Sequence, residues 1–586
     1  MQSESITKNM SLSGGFKDTV KSIYSSVVGA YVLITLCVFP VFVTDMYFDI
    51  LVDKYYFFLF TTICLAAVMV ILGLVFIFID GKENGGENTA EFLRGLKPKK
   101  LIKRLSLPDI CVLIFFLVSG LSTICSEWLY EAFWGNMGRY SGFFLWIWYV
   151  FMYFAVTRFF KFKKIYLDAF ILVGLYVCFW GIQDYFQLDP HGFLENVAAV
   201  DRDIFTSTIG NINTYTAWVA IYMAVASVLF VTEREGESRG EGSIESFLSE
   251  KTRIIISDVR LIFYLLSTCL FFTALIMGQS DNSVLSITAL LCFMPFLAWR
   301  DRSGFIRYII VLAAFAGSMW FTGAMSVKYA DIVLPPDNGS MLISLSYKPF
   351  WKELCIGLLI LAAAVIIINV IAAGKNKAEA NARGGYLLSY RDTVRRPLPR
   401  LLRYIWLGLG IAALLILIWI FWDANHGGHP ELYAPYRNIL YFDINWGTHR
   451  GHNWGILMKH FSEFPIWKKL IGSGPETYGI VTRVYDYYEM KNTFGEIYDS
   501  AHNEYLQYLF TTGIIGLLSY LGWLITGVFL IFKKIRKRTW AFACGFAVIA
   551  YGFQAFVNIT VPIVVPVFLL MLSMGLAAVR AESQEA

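Results

Sequence analysis

The chain has 586 residues, 57% of them hydrophobic and 16% charged, with a net charge of +5 and a mean hydropathy of +0.57. Soluble domains carry about 25% charged residues, so this composition excludes an ordinary soluble protein and defines an all-α polytopic membrane chain. Nine cysteines fall singly, eight within apolar runs and Cys125 at the edge of one, which argues against a disulfide framework or a metal cluster.

Fourteen apolar runs are long enough, or nearly so, to cross about 30 Å of hydrocarbon at 1.5 Å per residue; counting conservatively gives 12 to 14. They cover residues 27–44, 55–79, 109–125, 143–160, 166–182, 214–231, 261–278, 284–299, 308–325, 353–373, 404–421, 505–531, 539–557 and 561–579. The polar first 26 residues precede a full-length span, so no cleavable signal peptide is expected. With a cytoplasmic N-terminus, 36 of the 49 Lys and Arg lie on the inner side and 13 on the outer side. That asymmetry predicts an even number of spans in a cytoplasmic (inner or plasma) membrane, with both termini on the cytoplasmic side.

Two inner loops, 80–105 and 232–257, are rich in Gly, Glu, Ser and Lys with little periodicity, and are expected to be flexible. A third, 374–403, carries eight basic residues and is expected to lie on anionic headgroups or to serve as an orientation signal. The chain therefore divides into residues 1–421 with eleven spans, an extracytoplasmic segment 422–504, and residues 505–586 with three more.

Segment 422–504 is the longest stretch outside the spans, and long structured loops tend to carry function. It holds six of the seven histidines (His426, His429, His449, His452, His460, His502) and many aromatics, among them Tyr433, Tyr436, Trp446, Trp454 and Tyr498. Aromatics beside a membrane form an interfacial belt or flat stacking surfaces for ligands. From Arg450 to Phe461 the spacing predicts a helix with Trp454, Leu457, Met458 and Phe461 on one face, ended by Pro465 and by the turn Gly472, Gly474, Pro475. Asp499, Ser500, Ala501, His502 and Asn503 then lead straight into an apolar helix. A helix first turn offers unpaired N–H groups to an anion.

Arg450, Trp454, Pro465, Gly472, Gly474, Pro475, Ala501, His502, Asn503, Leu506, Gly513 and Gly516 make up a pattern that resembles the O-antigen ligase and polymerase family. Weaker echoes lie upstream in Gly135, Arg139, Tyr140 and Gly142, and in Gly210, Asn211 and Asn213. One departure stands after the seventh span, where relatives often carry Ser-Arg and this chain reads Ser280, Asp281, Asn282. Arg139 or Arg202 is then expected to supply the missing charge, unless the acceptor differs.

The resemblance implies a GT-C-like membrane glycosyltransferase that needs no metal or cofactor and inverts the sugar it transfers. Its donor is a glycan on a polyprenyl diphosphate, and its acceptor is a glycan, lipid, protein or wall polymer. Neither a Gly-rich phosphate loop nor a nucleic-acid partner is expected. Breaking a sugar–diphosphate bond builds negative charge, which arginine meets with five fixed donors; Arg450, Arg139 and Arg202 are the candidates. His502 is expected either to take the acceptor's proton or to contact the diphosphate, with Asp499, Glu496 and Glu476 as alternative bases. Asn503 either orients His502 or caps the turn, while Trp454, Asn211 and Tyr140 complete the expected substrate contacts. Arg450 has a structural alternative, a salt bridge to Asp443.

Two metal readings are weak. Asp201 and Asp203 form an Asp-x-Asp, and His426 with His429, or His449 with His452, have zinc-like spacing without cysteines nearby. A different class of function, a transporter or flippase of lipid-linked saccharides, would place charges or broken helices near the membrane midplane. No repeat is evident, and Asp168, Asp281 and Lys352 fall near span ends.

Overall fold

The computed structural model describes residues 2–585 apart from 137, 196, 199–200, 235–248, 334–339, 375–393, 395 and 435–436. Tyr436 and most of the basic loop 374–403 lie outside the described residues, as does half of loop 232–257. Helices dominate: α1 (Gly15–Val41), α2 (Ile50–Glu83), α3 (Glu87–Gly95), α4 (Pro98–Ile102), α5 (Leu107–Ile124), α6 (Leu129–Trp134), α7 (Phe143–Phe159), α8 (Ile165–Tyr185), α9 (Ile212–Thr232), α10 (Ile254–Met277), α11 (Asn282–Phe293), α12 (Arg302–Lys328), α13 (Phe350–Ala372) and α14 (Arg400–His426). The segment after α14 contributes α15 (Trp446–Glu463), α16 (Ile466–Ile471), α17 (Tyr478–Tyr485) and α18 (Tyr487–Phe494), and the chain ends with α19 (Glu504–Lys534), α20 (Thr539–Val557) and α21 (Val565–Glu585).

Among the described residues, twelve of these helices are long and apolar enough to cross a membrane, which makes the chain a multi-pass membrane protein. Two more of the predicted runs are helical but shorter: α7 has 17 residues, and the run 282–298 is divided at Met294 before Pro295, where proline cannot donate to the helical ladder.

The core forms around α9, whose span is wholly buried. Its sequence has no charge and places Ala217, Ala220, Ala224 and Ala226 among large side chains, so α10 and α20 approach closely. Trp218 Nε1 donates to the Ile563 carbonyl at 3.1 Å, tying α9 to the start of the final span. α14 is the opposite case: none of its most apolar stretch is buried, and its leucines and isoleucines face outward, as a lipid-contacting helix requires.

Loop 80–105 departs from expectation. Asp80 accepts from Asn88 Nδ2 at 2.6 Å and from Thr89 N and Oγ1 at 2.8 Å each, and these bonds hold the first turn of α3, with α4 following it. The low periodicity concealed one carboxylate capping a short helix from nine residues away.

At the same end of the bundle, Asp109 joins three helices. It caps α5 through Ser106, accepts from Tyr153 Oη of α7 at 2.9 Å, and pairs with Arg158 at 3.0 Å and Arg580 of α21 at 2.9 Å. Its carboxylate is 1% exposed, so removing it strands two partly buried guanidiniums. Asp109→Ala is expected to cost about 3 kcal/mol, measured as a lower midpoint of thermal unfolding in detergent.

Candidate active site

At the other end of the bundle, the Gly-x-Gly-Pro turn and α19 build each other. Gly513 adopts φ +70° and breaks the ladder of α19, which frees the carbonyls of Phe510 and Thr511. Ser473 N donates to Phe510 O at 3.1 Å, Gly474 N to Thr511 O at 3.0 Å, and Ser122 Oγ of α5 to Thr511 O at 2.7 Å. A Cβ on Gly472 would strike the backbone at Thr511, and one on Gly513 would strike Leu470, so side chains are excluded from both sides of the crossing.

The approach to His502 is fixed by its neighbours. Asn453 Nδ2 donates to Ser500 O at 2.9 Å, Trp454 Nε1 to Ala501 O at 2.8 Å, and Ala501 N to Gln507 Oε1 at 3.0 Å. Asn503 caps α19, its Oδ1 accepting from Tyr505 N at 3.0 Å and Leu506 N at 3.1 Å. Of the two roles open to Asn503, capping is the one its bonds display. Trp454 acts through its indole N–H, with its ring packed against Trp446 and Phe556.

Held this way, His502 takes φ +47°, and Glu476 (φ +60°) and Tyr140 (φ +54°) are also left-handed. Such backbone costs about 1–3 kcal/mol per non-glycine residue and gathers at functional sites. Nothing among the described residues hydrogen-bonds the imidazole. Burial, then Arg450 and then Arg139, lower the His502 pKa to about 4, against the pull of Asp499, so the ring is neutral at pH 7.

Arg139 grips Asp499 through two bonds, Nε to Oδ2 at 3.1 Å and NH2 to Oδ1 at 2.7 Å. Although burial opposes it, Arg139 holds the Asp499 carboxyl below its ordinary value. Glu476 goes the other way: burial, with the Asp499 charge added, outweighs Arg139 and raises its pKa to about 7. Asn136 Nδ2 donates to the Glu476 carbonyl at 2.6 Å, joining the Arg139 loop to the turn after Pro475.

Arg450 follows a left-handed run, Gly447 to His449, that divides α15. Its NH1 donates to Gly447 O at 2.6 Å and its NH2 to Val557 O at 3.2 Å, while its buried Nε has no partner. Burial lowers its pKa, partly offset by Asp281, and a guanidinium stays charged regardless. Asp443 instead pairs with Arg437 at 3.8 Å, so the salt bridge considered for Arg450 is not formed.

The structure thus sets Arg450, Arg139 and Asp499 around His502 and places Glu476 beside the Arg139–Asp499 pair. The other expected residues stand apart from this group. Arg202 is exposed, its Nε on Val197 O at 3.2 Å, and it is not among the charges acting on His502. Glu496 pairs with His449 at 3.0 Å. Asn211 caps α9, and Tyr140 stacks on Tyr55 with centroids 4.9 Å apart. His452 meets Tyr498 at 3.1 Å, and His429 lies 3.7 Å from Asp423. Among the described residues no three His, Cys, Asp or Glu side chains converge as a ligand set.

Sequence reasoning missed Asn558, which joins Asn213, Ser280 and Asn282, residues singled out above, in one hydrogen-bonded cluster. Asn213 O accepts from Asn282 and from Asn558, each at 3.0 Å, and Asn213 Oδ1 accepts from Ser280. The signal was the polar break Asn558 to Thr560 between two apolar runs, which reads as a plain turn. The fold and this arrangement define a polytopic all-α membrane protein with a charged site at one end of its bundle. No family model matches the chain, and no curated protein does.

Proposed function

We propose that this protein is a membrane glycosyltransferase that moves a glycan from a polyprenyl-diphosphate carrier to an acceptor hydroxyl at the outer face of the cytoplasmic membrane. It works as an O-antigen ligase-like or repeat-unit polymerase-like enzyme with inversion and without a metal. The observation that carries this reading is one imidazole without a hydrogen bond among the described residues, set against the guanidiniums of Arg450 and Arg139, with the Glu476 carboxyl beside the Arg139–Asp499 pair.

In this reading Arg450 and Arg139 receive the charge that builds on the departing diphosphate, with Arg139 exchanging Asp499 for the phosphate. The approaching anion opposes the two arginines and draws a proton onto His502, which then donates to the diphosphate. Glu476 is the base. Asp499 is held ionised in a bidentate pair and Glu496 is occupied by His449, so neither matches the task as well.

A pH profile separates these roles. Below about pH 7 the Glu476 carboxyl is protonated and accepts nothing; above it the carboxylate is free to act. Transfer measured as kcat/KM is expected to rise through a limb near pH 7 that Glu476→Gln removes. A limb unchanged in that variant assigns the base elsewhere. The overall reading is tested by mass analysis of lipid-linked glycans in cells lacking the protein. Single repeat units accumulate if it is a polymerase and long lipid-linked chains if it is a ligase, whereas a transporter leaves unflipped units on the inner leaflet.

A further inference from the structure

At the end of the bundle away from His502, α9 stops at Thr232, and a cleft of about 470 Å³ opens there between α9, α10, α12 and α13. One buried water takes roughly 10–15 Å³, whereas pockets for organic ligands hold about 300–1,000 Å³, so this space is of ligand size. Ile255, Val259, Ile262 and Leu266 lie three or four residues apart on α10 and are all more than half exposed, which gives that helix an apolar stripe toward lipid. Ile262 belongs both to the stripe and to the wall of the cleft, so the opening is on the membrane side.

The lining changes character along the helix axes. On α10 it passes from Ser257 and Asp258 to Leu261, Ile262 and Leu265, and on α12 from Ser303 and Arg307 to Ile310. One end is therefore polar and the other apolar, over about 10 Å of helix. The polar end carries both signs. Arg234 pairs with Asp301, which caps α12 by accepting from Gly304 N at 2.8 Å. Arg307 NH1 donates to Glu233 O at 2.6 Å and Phe230 O at 3.2 Å, closing the end of α9, and the Glu233 carboxylate pairs with Lys164 behind the cleft. Asp258 stands exposed at the mouth.

We propose that this cleft binds one bilayer phospholipid with a zwitterionic phosphoethanolamine head. Its phosphate lies against Arg234 and Arg307, its ammonium turns to Asp258, and the start of an acyl chain runs along Leu261, Leu265 and Ile310. An amphiphile is the occupant because the cleft is graded from charged to apolar and opens toward lipid. A zwitterion is the head because three carboxylates, Glu233, Asp258 and Asp301, stand with the two guanidiniums, so a purely anionic head meets repulsion that a paired ammonium removes. Choline, which has no N–H, gives Asp258 no hydrogen bond to accept. The site is independent of the transferase reading. A lipid held there packs against the end of α9, the helix around which the core forms.

Native mass spectrometry of the full-length protein, delipidated in detergent and titrated with dioleoyl phosphatidylethanolamine, phosphatidylcholine or phosphatidylglycerol, tests this. The ethanolamine lipid is expected to bind about tenfold more tightly than the choline lipid, the value of one charge-assisted hydrogen bond. Ile262→Trp narrows the wall and is expected to weaken binding about tenfold, the loss of about two buried methylenes. Asp258→Lys is expected to turn the preference toward the glycerol lipid. Equal affinities for the three lipids would mean a fluid annulus only and overturn the proposal, as would binding unchanged in Ile262→Trp or a preference that Asp258→Lys leaves in place. Displacement of the lipid by an equal concentration of glycerophosphoethanolamine, the head without chains, would overturn it too. Both substituted positions are exposed, so the variants are expected to fold, and the selectivity of the unaltered protein decides by itself if they do not.

Discussion

Arg450→Ala is expected to lower glycan transfer by about 10²–10³-fold, the range seen when one donor to a developing oxyanion is removed, with insertion into the membrane unchanged. The guanidinium spends NH1 on Gly447 and NH2 on Val557 and keeps its buried Nε unpartnered. A buried donor left open in this way carries a desolvation cost of about 1–3 kcal/mol, which an incoming anion would recover. Arg450→Lys keeps the charge but cannot span Gly447, Val557 and a third acceptor together, so it is expected to restore little. Transfer assayed in vesicles with lipid-linked donor checks both variants, and near-normal rates in Arg450→Ala remove the residue from the mechanism.

His502→Ala is expected to reduce transfer by about 10²–10⁴-fold, the range for loss of a positioned acid or base. Because the ring is neutral at pH 7 in the unliganded protein, its contribution as a cation depends on the donor's own charge. His502→Gln supplies an N–H donor without a titrating proton and is expected to retain more activity than alanine. His502→Lys, placed between Arg450 and Arg139, adds a third fixed cation and is expected to bind donor without turning over. Single-turnover and binding measurements on the three variants separate proton donation from simple contact. Equal rates in the glutamine variant and the wild type would show that no proton on this ring matters.

The spans were legible because burial in lipid leaves its mark on composition: every predicted apolar run is helical. The turn at Gly472 to Pro475 was legible because glycine and proline punctuate a chain, and no side chain fits at Gly472 where it meets Thr511. What stayed hidden depends on contacts between distant residues. Asp281 reads as an odd substitution until Arg450 is found within its field, and Asp109 reads as an ordinary cap until α21 brings Arg580 to it. Arg139 and Arg202 looked alike as isolated basic residues, but Gly135 to Gly142 folds Arg139 onto Asp499 whereas Arg202 stays at the surface. Glu476 was one acid among three until burial distinguished it.

The break at Gly513 carries a consequence for how such proteins diversify. Because the amides of Ser473 and Gly474 stand in for the missing rungs of α19, the part of the segment that carries them cannot be exchanged as a cassette whose edge falls at the membrane boundary. A transplant of this segment must carry residues 466–516 as one inherited block, about three and a half turns of α19 included. Variation is then free to accumulate in the stretch from Tyr487 to Ile497, which lies outside that crossing and is exposed along most of its length.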